Sequence, residues 1–237
     1  MAILMLMSCV VAADKEYDPS VDYMELMIIA AIKGNQQDLE EAARLRDLKI
    51  AGENMEYKPV SPQELIDTFE ERVGFSLSTD YMSKMRDAYF SGDYNAGCEA
   101  ARKRNIKISY LGLDYMKYSY DEMVLLSKVI CCEAGSDWLS MEWKMAVGEV
   151  ILNRVAHPAF PNTIYDVVYQ RGQYAGTSSY SRLSPSAACV NVVINLMNGQ
   201  RIFNDINVVF QANFRQGHGV ARSFYDSHFG YTYFCYY

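Results

Sequence analysis

Apolar residues in the first half of the chain recur at three- and four-residue intervals broken by glycine, the pattern of short helices joined by tight turns. The pattern occurs twice. Sliding the sequence by 58 positions aligns DYMELMIIAAIKGNQQDLEEAARLRDLKI (22–50) with DYMSKMRDAYFSGDYNAGCEAARKRNIKI (80–108) without a gap, and thirteen of the 29 pairs are identical. Among them are Asp22/Asp80, Tyr23/Tyr81, Met24/Met82, Gly34/Gly92, Ala42-Ala43-Arg44/Ala100-Ala101-Arg102 and Lys49-Ile50/Lys107-Ile108, so the segment is a duplication. Each copy reads as helix, Gly-Asn or Gly-Asp turn, helix. A hairpin of that size cannot bury its apolar face alone and is expected to pack on its twin or on the next domain, as a scaffold or spacer. Between the copies, Ser61 followed by Pro62 predicts the N-cap and first turn of a further short helix.

After residue 112 charge thins, tyrosine and asparagine rise, and a second region begins near Lys117. Ser119 and Glu122 predict a capping box that opens a helix with Met123, Leu126 and Ile130 at helical spacing. Glu133 follows Ile130 by three, on the same stripe, in the last turn before Gly135 ends the helix. A carboxylate at the negative end of a helix dipole, beside Ile130, Cys131 and Cys132, has its charged form disfavoured, so its pKa is expected to rise. A glutamate kept protonated near neutral pH is what a general acid requires. From these residues alone the plainer reading is a structural glutamate whose stem packs while its head reaches water. Further on, Ser184-Pro185 predicts the opening of a core helix, PSAACVNVVINLMNG, closed by Asn198-Gly199.

Composition narrows the function classes. The 237 residues, half of them hydrophobic, suffice for one large domain or two small ones. A net charge of -7 argues against a phosphate-binding surface, and the basic run Arg102-Lys103-Arg104 reads as a solvated helix end, so nucleic acid is not an expected partner. Residues 1–13 hold a short apolar run with Ala-Ala before Asp14, as at the end of a secretory signal, but no positively charged start. The run reads equally as a signal remnant or a buried N-terminal segment, is too short to cross a bilayer, and has a faint likeness to a lipoprotein box at Leu6 to Cys9. The six cysteines, at 9, 98, 131, 132, 189 and 235, show no CxxC pair and indicate neither a zinc site nor a small disulfide scaffold. Cys131 and Cys132 read as packing residues. Nineteen tyrosines are a weak pointer to a sugar-binding groove.

Glu133-Ala134, the helix Met145-Ala146-Val147-Gly148-Glu149-Val150-Ile151-Leu152-Asn153-Arg154-Val155, Phe160-Pro161-Asn162-Thr163, Val168-Tyr169-Gln170 and Gly172-Gln173-Tyr174 follow one another in order. In these motifs the chain from Leu125 onward resembles the SleB-type cell wall hydrolases, the family of spore cortex-lytic enzymes. The duplicated half lies outside the resemblance. It implies a lysozyme-like, mainly helical fold that cleaves the glycan strands of peptidoglycan, with Glu133 as the catalytic acid. The expected architecture is therefore mainly α, with a lysozyme-like catalytic domain at 117–237 preceded by an all-helical region at 14–112 that carries the repeats. The chain departs from the family in lacking an Arg after Glu-Ala, in a longer segment from Gly135 to Glu142, and in Thr232 where many members have histidine.

A second carboxylate would be needed for two-acid glycoside hydrolysis. Asp137, Glu142, Glu149 and Asp166 are the candidates, and each reads better as structural. A single-acid mechanism resembling that of lytic transglycosylases fits better, and it needs no metal and no organic cofactor. The alternatives are a hydrolytic muramidase and a non-catalytic peptidoglycan-binding or assembly protein. Gln173 and Tyr174 are candidates for contact with substrate, followed by Gln211, Asn213 and Tyr233. A cysteine nucleophile, Cys131 or Cys132 with His157, His218 or His228, is a remote rival. Peptidoglycan glycan strands are the expected partner, with no stable membrane span; the helical repeats are expected to contact another protein or the wall. The expected location is secreted or wall-associated.

Overall fold

The computed structural model describes residues 17–56, 62–113 and 115–237. The N-terminal apolar run and the proposed cap Ser61 lie outside the described residues. Contacts divide the chain into two compact units, one formed by the described residues of Met1–Thr79 and Ile106–Asp114, the other by Asp80–Asn105 and Tyr115–Tyr237.

The first unit contains α1 (Tyr23–Lys33), α2 (Gln36–Gly52) and α3 (Pro62–Val73). Asp22 accepts from the amides of Met24 and Glu25 and caps α1, and Gly34 closes it in the left-handed conformation at φ 67°. Asn35 then caps α2 through the Asp38 amide. Both α2 and α3 pack on α1. Arg72 of α3 pairs with Asp22 at 2.8 Å and Glu25 at 2.7 Å, and Phe69 meets Phe75 and Tyr110 edge to face.

The second hairpin is α4 (Tyr81–Ser91) and α5 (Tyr94–Leu111), with Asp80 and Gly92 repeating the roles of Asp22 and Gly34. The helix-turn-helix reading of both copies is thus observed. The unit boundary passes inside α5, and the described N-terminal half is helical, as expected. The basic run at 102–104 is corrected in part. It lies in the middle of α5, and while Arg102 pairs with Glu99 on the surface, Arg104 is 6% exposed and donates to the carbonyls of Met116 and Met197. Its guanidinium has enough donors to serve both the half-buried Met116 carbonyl and the buried carbonyl at the end of α9.

Three helices form the core of the second unit: α6 (Tyr120–Ala134), α7 (Met141–Ala156) and α9 (Ala187–Met197). The capping box is present, with the Ser119 amide donating to Glu122 and the Glu122 amide to Ser119 Oγ. Met123, Leu126 and Ile130 are fully buried. Gly135 caps α6 as expected, but in the right-handed conformation. Gly148 lets α7 approach its neighbours, because a Cβ there would lie 2.4 Å from Leu196 and 2.7 Å from Ile130. The N-cap of α9 is Ser186 and not Ser184, since its hydroxyl is the one placed to accept from the Cys189 amide. A short α8 (Ile164–Val168) and a 3-10 segment (Ala175–Arg182) pack on α6.

One element has no counterpart in the sequence reading. The chain ends in an antiparallel sheet of β1 (Val208–Ala212), β2 (Val220–Asp226) and β3 (Gly230–Tyr236), in the order β1-β3-β2. One face packs inward, with Phe224 stacked on Trp143 of α7 and Phe234 against Phe203. The mainly α expectation holds with this small sheet added. Among the described residues no helix is long and apolar enough to cross a membrane.

Candidate active site

Helix α7 is apolar enough to be buried along almost its whole length, and its few polar side chains are spent on holding chain segments around it. Lys144 donates to the carbonyls of Ser136 and Leu139 at 2.8 and 2.7 Å, fastening the loop that follows Glu133. Glu149 is fully buried and accepts the amides of Ile202 and Phe203. Asn153 donates to Asp205 and Val208, and Arg154 Nε donates to the Val209 carbonyl at 2.7 Å. Buried polar groups of this kind are stable only when so paired. Four polar residues of one helix thereby set the positions of the acid loop and of β1.

Glu133 stands at the end of α6, at the margin of this core. Its side chain is open to solvent, unlike the buried residues of its stripe, yet the atoms packed around the carboxyl desolvate it enough to raise its pKa above the ordinary glutamate value. Its charge acts on Tyr174 and Tyr180, whose hydroxyls are both pushed up, Tyr174 to about 12, first by burial and then by that neighbour, with Arg154 opposing at Tyr174. The Arg154 guanidinium lies 5.6 Å from the Tyr174 ring and 5.3 Å from that of Phe160.

Arg154 Nη1, Tyr180 Oη and Gln211 Oε1 are buried without a hydrogen-bond partner among the described residues. Unpaired buried donors and acceptors are costly, and the Tyr110 and Tyr118 hydroxyls are in the same state elsewhere. Glu133 is electrostatically linked to Tyr174 and Tyr180, and Tyr174 to Arg154. Arg154 is bonded in turn to the Val209 carbonyl of β1, two residues before Gln211.

Of the residues singled out in the sequence, Tyr174 is the one on which the charge of Glu133 acts. Gln211 is directed to the packed face of the sheet, since it pairs with Phe234. Tyr233 pairs with Ala212 and Ser223, which places it on the opposite face and apart from Gln211. Gln173 and Asn213 are exposed, with no contact to Glu133 among those observed. Arg154 and Tyr180 were not singled out. The signal for Arg154 was present, an arginine in a helix otherwise too apolar to face water; Tyr180 had none.

Three of the four other acids are engaged, while Asp137 is exposed, with no hydrogen bond or ion pair observed among the described residues. Glu142 pairs with Arg222 at 2.7 Å, the Asp166 carboxylate accepts from the hydroxyl of Thr163, the residue that caps α8, and Glu149 holds the 202–203 amides. The thiol rival finds no support: His157 packs between Phe160 and Tyr237, His218 bonds the Tyr237 carbonyl, and His228 pairs with Asp226. Burial, then Glu133, raises the Cys132 pKa, the opposite of what activates a thiolate. No cluster of metal-ligating side chains is found among the described residues.

Residues 140–218 match the family model described as Cell Wall Hydrolase. Glu133 precedes the matched segment; Arg154, Gln173, Tyr174, Gln211 and Asn213 lie within it. Among solved structures the chain is similar to the catalytic domain of the Bacillus cereus SleB protein, with 21% identity, a TM-score of 0.41, and coverage of 50% of this chain and 91% of that one. No curated protein matches the chain. The similarity to cell wall hydrolases thus lies in the C-terminal half, at residues 140–218.

Proposed function

With a cell wall hydrolase domain as the premise, we propose that the chain cleaves peptidoglycan between N-acetylmuramic acid and N-acetylglucosamine, and that Glu133 is its catalytic acid. The observation that carries this is the contrast among carboxylates: Glu133 is both reachable and partly desolvated, Glu142, Glu149 and Asp166 are occupied in an ion pair, amide bonds and a side-chain hydrogen bond, and Asp137 is exposed on the loop beyond the helix. That contrast favours a single-acid route. Glu133 donates its proton to the glycosidic oxygen, and the resulting carboxylate takes the proton of the muramoyl C6 hydroxyl as that oxygen closes on C1. The product is a 1,6-anhydro ring; the nucleophile belongs to the substrate, so no water or second carboxylate is required. Arg154 and the Tyr174 and Tyr180 hydroxyls would line the site, with Gln173, Gln211 and Asn213 as further candidates for sugar contacts. Location outside the cell or at the wall follows from such a substrate.

The test is to incubate the protein and its Glu133→Gln variant with purified peptidoglycan and identify the soluble products by mass spectrometry. Anhydro-muropeptides from the native protein, reduced at least about 100-fold in the variant, are expected. Reducing ends would assign a hydrolytic muramidase and overturn the single-acid route. Binding of the polymer by both proteins without release would replace the enzyme by a wall-binding protein.

The raised pKa of Glu133 has two pH consequences. The acid is protonated below its folded-state pKa, so kcat/KM is expected to fall as pH rises through a value above that of a free glutamate. For stability, a carboxyl whose pKa is higher in the folded state binds its proton more tightly there. Stability is therefore lost as pH rises from the unfolded to the folded pKa. Glu133→Gln is expected to unfold at higher temperature than the native chain at neutral pH, with the difference vanishing below the ordinary carboxylate range. An equal difference at both pH values would refute the shift.

A further inference from the structure

The open face of the sheet carries a row of aromatic rings. Ser223 and Tyr225 of β2 pair in register with Tyr233 and Tyr231 of β3, so all four project to the face opposite Phe224 and Phe234. Tyr225 lies 4.9 Å from Tyr231, and Tyr231 stacks on Tyr233 at 5.5 Å and 18°. The Arg215 guanidinium sits 5.5 Å from the Tyr233 ring. Arg215, Gln216, Ser223 and Tyr233 line a cleft of about 420 Å³ at the end of this row. Tyr225 and Tyr231 are 64% and 50% exposed, a poor use of aromatic surface unless something covers it.

We propose that this face is a second binding surface, separate from the acid site, for a muramoyl-containing glycan strand. Sugar rings would lie on the tyrosines, and a lactyl or stem-peptide carboxylate would reach Arg215. This rests on the wall-cleaving reading above for the choice of polymer. The chemistry of the face supports that occupant. The row offers flat rings with hydroxyl tips, which suit the apolar faces and hydroxyls of sugars. The cleft is lined by a cation and by no acid, although the chain as a whole carries a net charge of -7. A carboxylate-bearing polymer complements that local charge, and a neutral glycan would leave Arg215 unused.

The test uses the full-length Glu133→Gln chain, so that co-sedimentation with purified peptidoglycan reads binding without turnover and independently of product analysis. Tyr225→Ala and Tyr231→Ala are each expected to weaken binding about 3- to 10-fold, and Tyr225→Phe and Tyr231→Phe to retain it. Arg215→Ala is expected to flatten the salt dependence of binding. Thermal unfolding of each variant within a few degrees of the parent shows that the fold persists. Unchanged binding by folded alanine variants would overturn the proposal whatever products the native protein forms, as would a parent that does not bind the wall. A dimer in sedimentation velocity that the tyrosine substitutions dissociate, with wall binding intact, would identify a second copy as the occupant and also overturn it. Aromatic-dependent binding by a protein that releases nothing would support this surface while the acid assignment fails.

Discussion

Arg46 and Arg104 hold the same position in the two hairpin copies and do different work. Arg46 pairs with the neighbouring Asp47 at 2.6 Å and touches Met27 Sδ, while Arg104 is buried and ties the Met116 and Met197 carbonyls. Burial pulls the pKa of Arg104 down, the cost of taking a cation out of water. The next position has changed with it: Asp47 in the first copy is Asn105 in the second, which exchanges hydrogen bonds with the Tyr118 backbone in both directions. Elsewhere the copies coincide. Lys49 donates to the carbonyls of Pro19 and Val21, and Lys107 to those of Leu77 and Thr79, the same positions 58 residues on. The difference teaches that the duplicated sequence specifies the hairpin and its entry, while one register position is used differently in the two copies, in the second to bind the Met116 and Met197 carbonyls.

This contrast can be broken by paired substitutions measured as unfolding free energies, taking about 1 kcal/mol as roughly 2–4 °C in Tm for a chain of this size. The largest effect is expected for Arg104→Ala, about 3 kcal/mol, because two buried carbonyls lose a charged donor; Arg46→Ala is expected to cost under about 1 kcal/mol. Equal costs would show that the buried arginine is not what distinguishes the copies. Exchanging the adjacent residues comes next. Asn105→Asp is expected to cost about 2 kcal/mol by setting a carboxylate against the Tyr118 carbonyl, and Asp47→Asn about 0.5 kcal/mol. The shared features should respond alike. Lys49→Met and Lys107→Met are each expected to cost about 1 kcal/mol. Gly34→Ala and Gly92→Ala, at φ 67° and 72°, should each cost about 1 kcal/mol, since a Cβ strains the left-handed turn. A marked inequality within either pair would mean that the copies differ in their own geometry as well as in their surroundings.

Much of the fold was legible because it is local. Caps at Asp22, Asp80 and Ser119, turn glycines at 34 and 92, and the apolar stripe of Met123, Leu126 and Ile130 are decided within a few residues of chain. The sheet was less legible, since Tyr225, Tyr231 and Tyr233 acquire their common face only when β2 and β3 come into register. The placement of Glu133 in the last turn of its helix could be read in the same local way. Its neighbours could not. Tyr180 lies 47 positions away in sequence and comes under the charge of Glu133 only because the 3-10 segment packs on α6. Tyr233, a candidate near the end of the sequence, proves to face away from Gln211 because alternate residues of a strand point to opposite sides.

By itself the sequence determined the duplication, the helical hairpins and their caps, the helix that ends at Glu133, and the motif helix with its lone arginine, because each follows from side chains a turn or two apart. Only the tertiary structure decided which polar side chains of that helix bind which distant backbone groups, that Arg104 is buried while its twin is not, and which face of the sheet is left open. Those outcomes depend on desolvation, and whether a group loses its water is settled by segments far away in the chain.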